Sequence, residues 1–279
     1  MQFTIYTPTG STYEAYAYTG GKSFDPEKPT VVFIHGVLND HSVWILQSRY
    51  MAHHGYNVLA VDLPGHCRSS GEAPESVEAA SSFIEQLLDA AGVQRAALVG
   101  HSWGSLIALE TAARLGHRIT HLGLVGTAFP MKVTPALMEA SLHQPMKALQ
   151  MINVFQRATL AAPPSVLGPG TWVYGTSMAL GRRVLASNTQ VNVFHRGFKA
   201  CDTYTHGLEA MQEVACPILF LLGKQDQMTH PKSAQSLIDV ARSHGKKLHV
   251  IELPMGHHQM GESPEEALDA LKNFLDLGH

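Results

Sequence analysis

Short apolar runs alternate with amphipathic stretches along most of this chain. The runs are rich in β-branched and aromatic residues, as is typical of strands buried on both faces. They occupy residues 30–34, 56–61, 96–99, 121–125, 217–222 and 247–253. Apolar positions recur at helical spacing between them, most clearly in residues 42–53, 74–92 and 231–242. This alternation predicts an α/β protein with a mostly parallel, twisted sheet flanked by helices.

Both ends of the chain carry additional elements. Residues 3–18 alternate weakly between apolar and polar positions around the turn residues 8–11, which predicts an antiparallel hairpin at the edge of the sheet. At the other end, Ser263 precedes Pro264 and is followed three residues later by Glu266, the pattern of a capping box. The last helix is therefore predicted to begin at this point.

The alternation stops between residues 127 and 213. This segment holds helical pieces separated by proline and glycine residues, among them 163–164 and 168–170. It is too long for a loop, so we predict an inserted helical cap, with residues 1–126 and 214–279 forming the α/β core. The methionine and aromatic residues of the cap suit an adaptable pocket wall, and they could equally fill the cap's own small core.

Gly100, Ser102 and Gly104 form a Gly-x-Ser-x-Gly pattern directly after one of the apolar runs. Apolar residues at helical spacing follow, so the serine falls at the junction of a strand and a helix. This context is typical of a nucleophile elbow, in which a tight turn holds a serine hydroxyl above a sheet. Glycine is required at both flanking positions because Cβ atoms there would collide with the neighbouring strand and helix.

Two further polar residues follow apolar runs. Asp226 comes after the run at 217–222, and His257 comes after the run at 247–253. Because the carboxyl ends of parallel strands share one edge of a sheet, we expect Ser102, Asp226 and His257 to meet there. Their chain order of serine, acid and histidine is the order that accompanies this type of elbow.

Other residues compete for these roles. His258 is an alternative base to His257. Asp202 and Asp239 are alternative acids, although one lies in the predicted cap and the other within a predicted helix. His101, next to the serine, is interpreted as a packing residue.

Composition narrows the classes of partner and cofactor. The 279 residues include 20 basic and 23 acidic side chains with no run of like charge, so neither nucleic acid nor a membrane surface is an expected partner. Cys67, Cys201 and Cys216 have neither disulfide nor zinc spacing, and the 17 histidines lack metal-binding spacing. No metal or other cofactor is therefore expected. Without a recognisable signal peptide or membrane span, we expect a cytoplasmic protein, and the oligomeric state stays open.

The motifs resemble those of the α/β-hydrolase superfamily, in its branch of cap-bearing esterases, lactonases and carbon–carbon bond hydrolases. The resemblance extends from residue 30 to the last helix. It rests on His35-Gly36, Asp62-Leu63-Pro64-Gly65-His66 with Ser69, Gly100-His101-Ser102-Trp103-Gly104, residues 223–226 and Gly256-His257. Cys67 and Ser105 depart from it, since glycine is usual at both places. The resemblance implies the α/β-hydrolase fold with an inserted cap.

The resemblance also implies a serine-hydrolase mechanism. His257 would take the proton of Ser102 during attack, and Asp226 would orient the imidazole and stabilise its charged form. The backbone N–H groups of Val37 and Trp103 would stabilise the negative charge that develops on the substrate oxygen.

The implied activity is cofactor-independent cleavage of small-to-medium carboxylic esters through an acyl-enzyme. A lactonase or a carbon–carbon bond hydrolase would use the same residues, and a small-molecule receptor that retains the triad is the alternative of another class. The candidate substrate-binding residues are Leu38, Phe129, Met131, Trp172, Met228 and His258.

Overall fold

The structure, a computed structural model, describes residues 1–7, 10–25, 27–159 and 172–277. Eight strands in these residues join in one sheet. They are β1 (Gln2–Tyr6), β2 (Thr12–Tyr18), β3 (Thr30–Ile34), β4 (Asn57–Val61), β5 (Ala96–His101), β6 (Ile119–Val125), β7 (Ile218–Gly223) and β8 (Leu248–Leu253). Their order across the sheet is β1-β2-β4-β3-β5-β6-β7-β8.

The six strands from β3 to β8 run parallel to one another. β1 and β2 form an antiparallel hairpin, and β2 also pairs antiparallel with β4. The predicted fold class and edge hairpin are thereby confirmed. Every residue of β3, β4, β5 and β7 is buried, which accounts for their unbroken apolar sequence, because a parallel strand between two helical layers has no solvent-facing side.

Helices occupy most of the connections between the strands. They are α1 (Ile45–His53), α2 (Val77–Ala90), α3 (Trp103–Leu115), α4 (Pro135–His143), α5 (Pro145–Phe155), α6 (Val173–Ser187), α7 (Val193–Thr203), α8 (Gly207–Glu213), α9 (Gln235–Ser243), α10 (Gln259–Glu262) and α11 (Pro264–Leu275). Over the described ranges, none of these helices combines the length and the apolar character needed to cross a bilayer.

The sheet is covered on both faces. Val32 and Ile34 of β3 point into an apolar cluster shared with α2, α3 and α9, whereas Val31 and Phe33 point into a cluster shared with α1 and α11. Each fully buried side chain of this size contributes roughly 1.5–3 kcal/mol to stability. The two layers together hold the carboxyl ends of the central strands in fixed positions.

Among the described residues, the helices α4 to α8 lie between β6 and β7, where the sequence predicts an inserted segment. α5, α6 and α7 form a third apolar cluster with Leu38 from the loop after β3. α8 packs instead on α3 and α9, and its Met211 belongs to the main core. The segment is thus helical, while its last helix packs with the core. The predicted break points at 163–164 and 168–170 lie outside the described residues.

Two arginines connect these inserted helices to the core. Arg183 of α6 donates through Nη2 to Asp40 at 2.6 Å, and Arg196 of α7 donates to the Ala73 carbonyl at 2.8 Å. Burial alone would raise the pKa of Asp40, but hydrogen bonds from Ser42 and the adjacent Arg183 guanidinium lower it to about 2. The carboxylate is therefore charged at neutral pH and holds α6 against the loop after β3.

The start of α11 differs from the predicted capping box. Ser263 is the N-cap residue, but its hydroxyl donates to the Glu266 carboxylate instead of accepting a backbone N–H. The reason is that Ser263 also ends α10, and its own N–H is bonded to the Gln259 carbonyl. The helix predicted at 231–242 likewise begins with a short 3-10 turn, Pro231–Ala234, before α9.

A buried carboxylate of α3 holds the connection between α7 and α8. Glu110 accepts hydrogen bonds from the Tyr204 hydroxyl at 2.8 Å and from Nδ1 of His206 at 2.9 Å. The hydrogen bond to Glu110 raises the pKa of His206 above its ordinary value, against the smaller opposing effect of burial. The protonated form of His206 is therefore stabilised by folding.

We expect the His206→Gln substitution to lower the melting temperature more at pH 6 than at pH 8.5. In the wild type, the bond between protonated His206 and Glu110 contributes fully to stability below the histidine pKa of the unfolded chain, about 6.5. This contribution is lost as the pH rises through the higher pKa of His206 in the folded protein. Because the ring is 42% exposed, solvent screening limits the loss at pH 6 to about 0.5 kcal/mol. Thermal unfolding followed by circular dichroism measures the difference, and equal losses at both pH values would contradict it.

Candidate active site

Ser102 occupies a strained turn between the end of β5 and the start of α3. Its backbone has φ 54° and ψ −121°, a conformation that costs a non-glycine residue roughly 1–3 kcal/mol. A Cβ atom on Gly100 would lie 2.0 Å from the Gly104 carbonyl oxygen, and one on Gly104 would lie 2.4 Å from the Ile34 carbonyl oxygen. The two glycines therefore permit the close strand–helix approach that the sequence pattern predicts.

His257 and Asp226 meet at the same edge of the sheet. Asp226 follows β7 and His257 follows β8, and both are buried. Nδ1 of His257 lies 2.8 Å from Oδ2 of Asp226, so the imidazole donates its Nδ1 proton to the carboxylate. This leaves Nε2 unprotonated and able to accept a proton.

The Asp226 carboxylate is held by several donors. Oδ1 accepts the backbone N–H groups of Met228 and Thr229, both at 2.8 Å. Oδ2 faces the Thr229 hydroxyl at 2.8 Å in addition to His257. Burial alone would raise the pKa of Asp226, but the charge and hydrogen bond of His257 and the bonds from Thr229 lower it to about 2. The Asp226 carboxylate is therefore ionised at neutral pH.

The backbone around His257 is fixed from two sides. Its N–H donates to the carbonyl of Gln156, just after α5, at 2.7 Å. Its carbonyl accepts a hydrogen bond from Nε2 of His101 at 2.8 Å. Burial, with a smaller effect of His257, lowers the pKa of His101 to about 3, so the His101 ring is neutral. This placement agrees with the interpretation of His101 as a packing residue.

The reactive atoms of Ser102 and His257 have no protein partner in the described residues. The Ser102 hydroxyl makes no hydrogen bond there, and the His257 ring is bonded only through Nδ1. Both side chains line one cleft. In unliganded sites of this type, the contact between nucleophile and base is often completed only when a substrate binds.

Two backbone N–H groups beside Ser102 are also unpartnered within the described part of the chain. Trp103 is the first residue of α3. The first N–H groups of a helix have no acceptor within the helix, and the helix dipole makes this end positive. The N–H of Val37 follows Gly36, and a Cβ on Gly36 would lie 3.1 Å from the Ser102 Cβ. Neither amide donates to a protein acceptor. Two free donors next to a serine hydroxyl can stabilise an oxyanion formed there.

The cleft above Ser102 has a volume of about 280 Å³ and a mostly apolar wall. The wall comes largely from the loop before α4 and from α4, α5 and α7. The lining residues are Val37, Ser102, Met131, Lys132, Val133, Thr134, Leu137, Met151, Phe155, Phe198, Cys201, Gln227, Met228, Thr229 and His257. Lys132 turns its ammonium group away to the Asp202 carbonyl and is 62% exposed. The interior of the cleft therefore offers an apolar group of moderate size a place to bind.

The predicted substrate-binding residues divide into three groups. Met131 and Met228 line the cleft, whereas Leu38 and His258 line a separate pocket of about 20 Å³ behind Val37. Two predicted residues lie elsewhere. Phe129 is buried edge-on against Tyr204 and close to Gly207, and Trp172 is 71% exposed and packs on Tyr174.

The alternative acids and base are engaged elsewhere. Asp202 accepts the Val133 N–H at 3.0 Å, and Asp239 lies on the surface of α9, where it accepts from Gln235. The N–H of His258 donates to Glu262, and burial lowers the pKa of its ring well below the ordinary value. Of the candidates, the structure brings His257 and Asp226 together.

Asp40, His41 and Asp62 form the single cluster with metal-ligating spacing in the described ranges. Protein donors already occupy it. Asp62 accepts from the N–H and the ring of His41 and from the N–H of Arg68, and Asp40 accepts from Arg183 and Ser42. The cluster therefore fixes the turns after β3 and β4.

A model of the α/β hydrolase fold family matches residues 29–264. This chain is a member of the α/β hydrolase fold family. Family membership supports hydrolysis as the activity in its general form.

Solved structures in this family have the same overall fold. An esterase from Exiguobacterium antarcticum superposes with a TM-score of 0.80 at 17% identity, over 99% of each chain. An enol-lactonase from Burkholderia xenovorans LB400 superposes with a TM-score of 0.77 at 20% identity, over 94% of this chain and 96% of that chain. At these identities the likeness concerns the fold.

Curated relatives at 33–36% identity match over shorter stretches. The lipase LipV of Mycobacterium tuberculosis is 34% identical over 108 residues, which cover 38% of this chain and 40% of that protein. Curated relatives at 33–36% identity are spanned over only 26–40% of their own length. What these proteins act on does not transfer directly to this chain.

Thr229 and most of the cleft wall carry no recognisable functional signal in the sequence. Thr229 contacts both Asp226 and His257, yet a threonine three residues after an acid is not a recognisable signal. Met151, Phe155 and Phe198 stand out in the sequence only as apolar residues of the inserted segment. Their direction toward the cleft depends on how the helices of that segment pack.

We expect Gly104→Ala to destabilise the protein severely, because the new Cβ meets backbone atoms of β3 that cannot move aside. Gly123→Ala is the matched control in the sheet, since the three atoms nearest to its Cβ would all belong to the Val99 side chain, the closest at 3.2 Å. The free energy of unfolding should fall by about 3 kcal/mol or more for Gly104→Ala and by about 1 kcal/mol for the control. Urea unfolding measures both, and equal midpoints would contradict the backbone constraint.

Proposed function

We propose that this protein is a cofactor-independent serine hydrolase that cleaves small-to-medium carboxylic esters. One observation carries the proposal: Ser102, whose hydroxyl has no partner among the described residues, and His257, paired with Asp226, line one apolar cleft, and the N–H groups of Val37 and Trp103 lie beside the serine. This combination supplies a nucleophile, a base and oxyanion donors around a binding site for an apolar group.

In the proposed reaction, Nε2 of His257 takes the Ser102 proton while the serine oxygen attacks the ester carbonyl carbon. The tetrahedral intermediate collapses as His257 returns that proton to the alkoxide leaving group, which departs as the alcohol. A water molecule then attacks the acyl-enzyme with the same base, and the acid product and free Ser102 are released. Asp226 holds the Nδ1–H tautomer and stabilises the imidazolium that forms in each half-reaction.

The N–H groups of Val37 and Trp103 form the proposed oxyanion hole. Negative charge grows on the carbonyl oxygen in both tetrahedral intermediates, and donors already in place stabilise it without reorganisation. Loss of one such donor typically costs roughly 10²–10³-fold in kcat. Because both donors are backbone groups, their position depends on the turns at Gly36 and Ser102.

The cleft favours a neutral, apolar substrate group. Its wall is formed by methionine, valine, leucine and phenylalanine side chains, and Lys132 is held at the surface by the Asp202 carbonyl. A charged acyl group would lose its hydration without gaining a partner, which is costly. The described residues of the segment 127–213, in the loop before α4 and in α4, α5 and α7, provide most of this wall, so we propose that this segment acts as the cap.

We expect purified protein to hydrolyse p-nitrophenyl esters with an optimum at short-to-medium acyl length, and Ser102→Ala to lose at least about 10³-fold in kcat. The reason is that Ser102 supplies the nucleophile, and a longer acyl chain makes more apolar contact with the wall until the cleft is filled. Steady-state release of p-nitrophenol measures both effects. Ser81→Ala is the matched control, because Ser81 is a buried serine on α2, outside the cleft.

Four outcomes would contradict the ester proposal. Unchanged turnover in folded Ser102→Ala would show that Ser102 is not the nucleophile. Loss of activity with a chelator would show that the activity depends on a metal ion. Turnover of lactones or of carbon–carbon bonds in diketones, without turnover of open-chain esters, would assign one of the related reactions. Ligand-induced stabilisation with negligible turnover would indicate a receptor.

A further inference from the structure

The Thr229 hydroxyl lies at the centre of the contacts that hold His257. Its Oγ1 is 2.8 Å from Oδ2 of Asp226, 2.9 Å from Nδ1 of His257 and 2.9 Å from the carbonyl oxygen of Gly126. The side chain is buried and forms part of the cleft lining. Nδ1, Oδ2 and Oγ1 therefore form a closed triangle behind the imidazole.

The hydroxyl has a single proton and two acceptors within reach. A hydrogen bond to the ionised Asp226 carboxylate is stronger than one to the Gly126 carbonyl, so the proton is directed to Oδ2. The hydroxyl oxygen can then only accept from Nδ1 of His257. That arrangement requires Nδ1 to carry a proton, because an unprotonated Nδ1 would face two acceptor atoms at 2.8–2.9 Å.

We propose that Thr229 is a positioning residue that fixes the orientation and the Nδ1–H tautomer of His257 through its hydroxyl, acting together with Asp226. The assignment rests on the proposed serine-hydrolase function for its kinetic consequences. Its structural part, the state of the Nδ1 proton, does not depend on any substrate.

The other groups that face His257 do not supply this constraint. His101 of β5 has its ring centroid 4.6 Å from that of His257, and burial keeps it neutral. His258, the next residue, is also kept neutral by burial, and the adjacent positive Arg157 adds to this effect. Asp226 is thus the charged group in direct contact with the ring, and Thr229 is the second partner of Nδ1.

Thr229→Val removes the hydroxyl with little change in side-chain shape. We expect kcat for a p-nitrophenyl ester to fall about 10- to 100-fold with KM nearly unchanged, because the imidazole is less well oriented and the substrate cleft keeps its shape. Without the hydroxyl donor, more negative charge remains on Oδ2 facing the ring. Nδ1 also loses an acceptor, which acts in the opposite direction, so the midpoint of the acidic limb of kcat/KM should differ from wild type by at most about half a pH unit.

Two further variants separate positioning from simple destabilisation. Thr229→Ser keeps the hydroxyl and should restore most of kcat and the wild-type pH profile. Thr111→Val is the same substitution at a buried threonine of α3, which bonds to Ser81 and to the Ile107 carbonyl away from the cleft. It should lower thermal stability and leave kcat and the pH profile as in wild type.

Proton NMR of the substrate-free protein supplies the readout that is independent of turnover. We expect a downfield Nδ1–H resonance of His257 in wild type and Thr229→Ser, and its loss through faster solvent exchange in Thr229→Val. The same resonance in all three proteins, or an unchanged kcat in Thr229→Val, would overturn the assignment. If wild type hydrolyses no ester, the ester proposal fails, and the NMR comparison still decides the role of Thr229.

Discussion

A turn with no room for a side chain at Gly100 or Gly104 sets Ser102 between β5 and α3. The closeness of the α3 start to β3 follows from that turn, and so does the position of the Trp103 N–H beside the serine. Strain of this kind persists only where the surroundings determine it. Here the buried central strands and two helical layers do so, so the fold itself holds Ser102 in place.

His257, the proposed base, is fixed by a chain of polar contacts rather than by a strained turn. His257 is held through Nδ1 by Asp226 and Thr229, through its N–H by Gln156 and through its carbonyl by His101. Gln156 belongs to the inserted segment, which also forms the cleft wall. The substrate cleft and the position of the base are therefore connected in one structural unit, tied to the core by the Arg183–Asp40 ion pair.

The sheet, the elbow and the meeting of Ser102, Asp226 and His257 could be predicted because each depends on local sequence. Continuous apolar runs indicate buried parallel strands, and the carboxyl ends of such strands share an edge. The cleft wall could not be predicted in the same way. Phe129 packs on Tyr204 and Trp172 lies at the surface, because the packing of the inserted helices decides which apolar side chains face the site. Thr229 was missed because its role depends on geometry alone.

The most direct test of the account is mass spectrometry of the protein quenched in acid during turnover of a p-nitrophenyl ester. We expect a mass increase of one acyl group, located on the peptide that contains Ser102 and absent from Ser102→Ala. Continued hydrolysis with no adduct, or with an adduct on another residue, would show that Ser102 is not the nucleophile and would contradict the account.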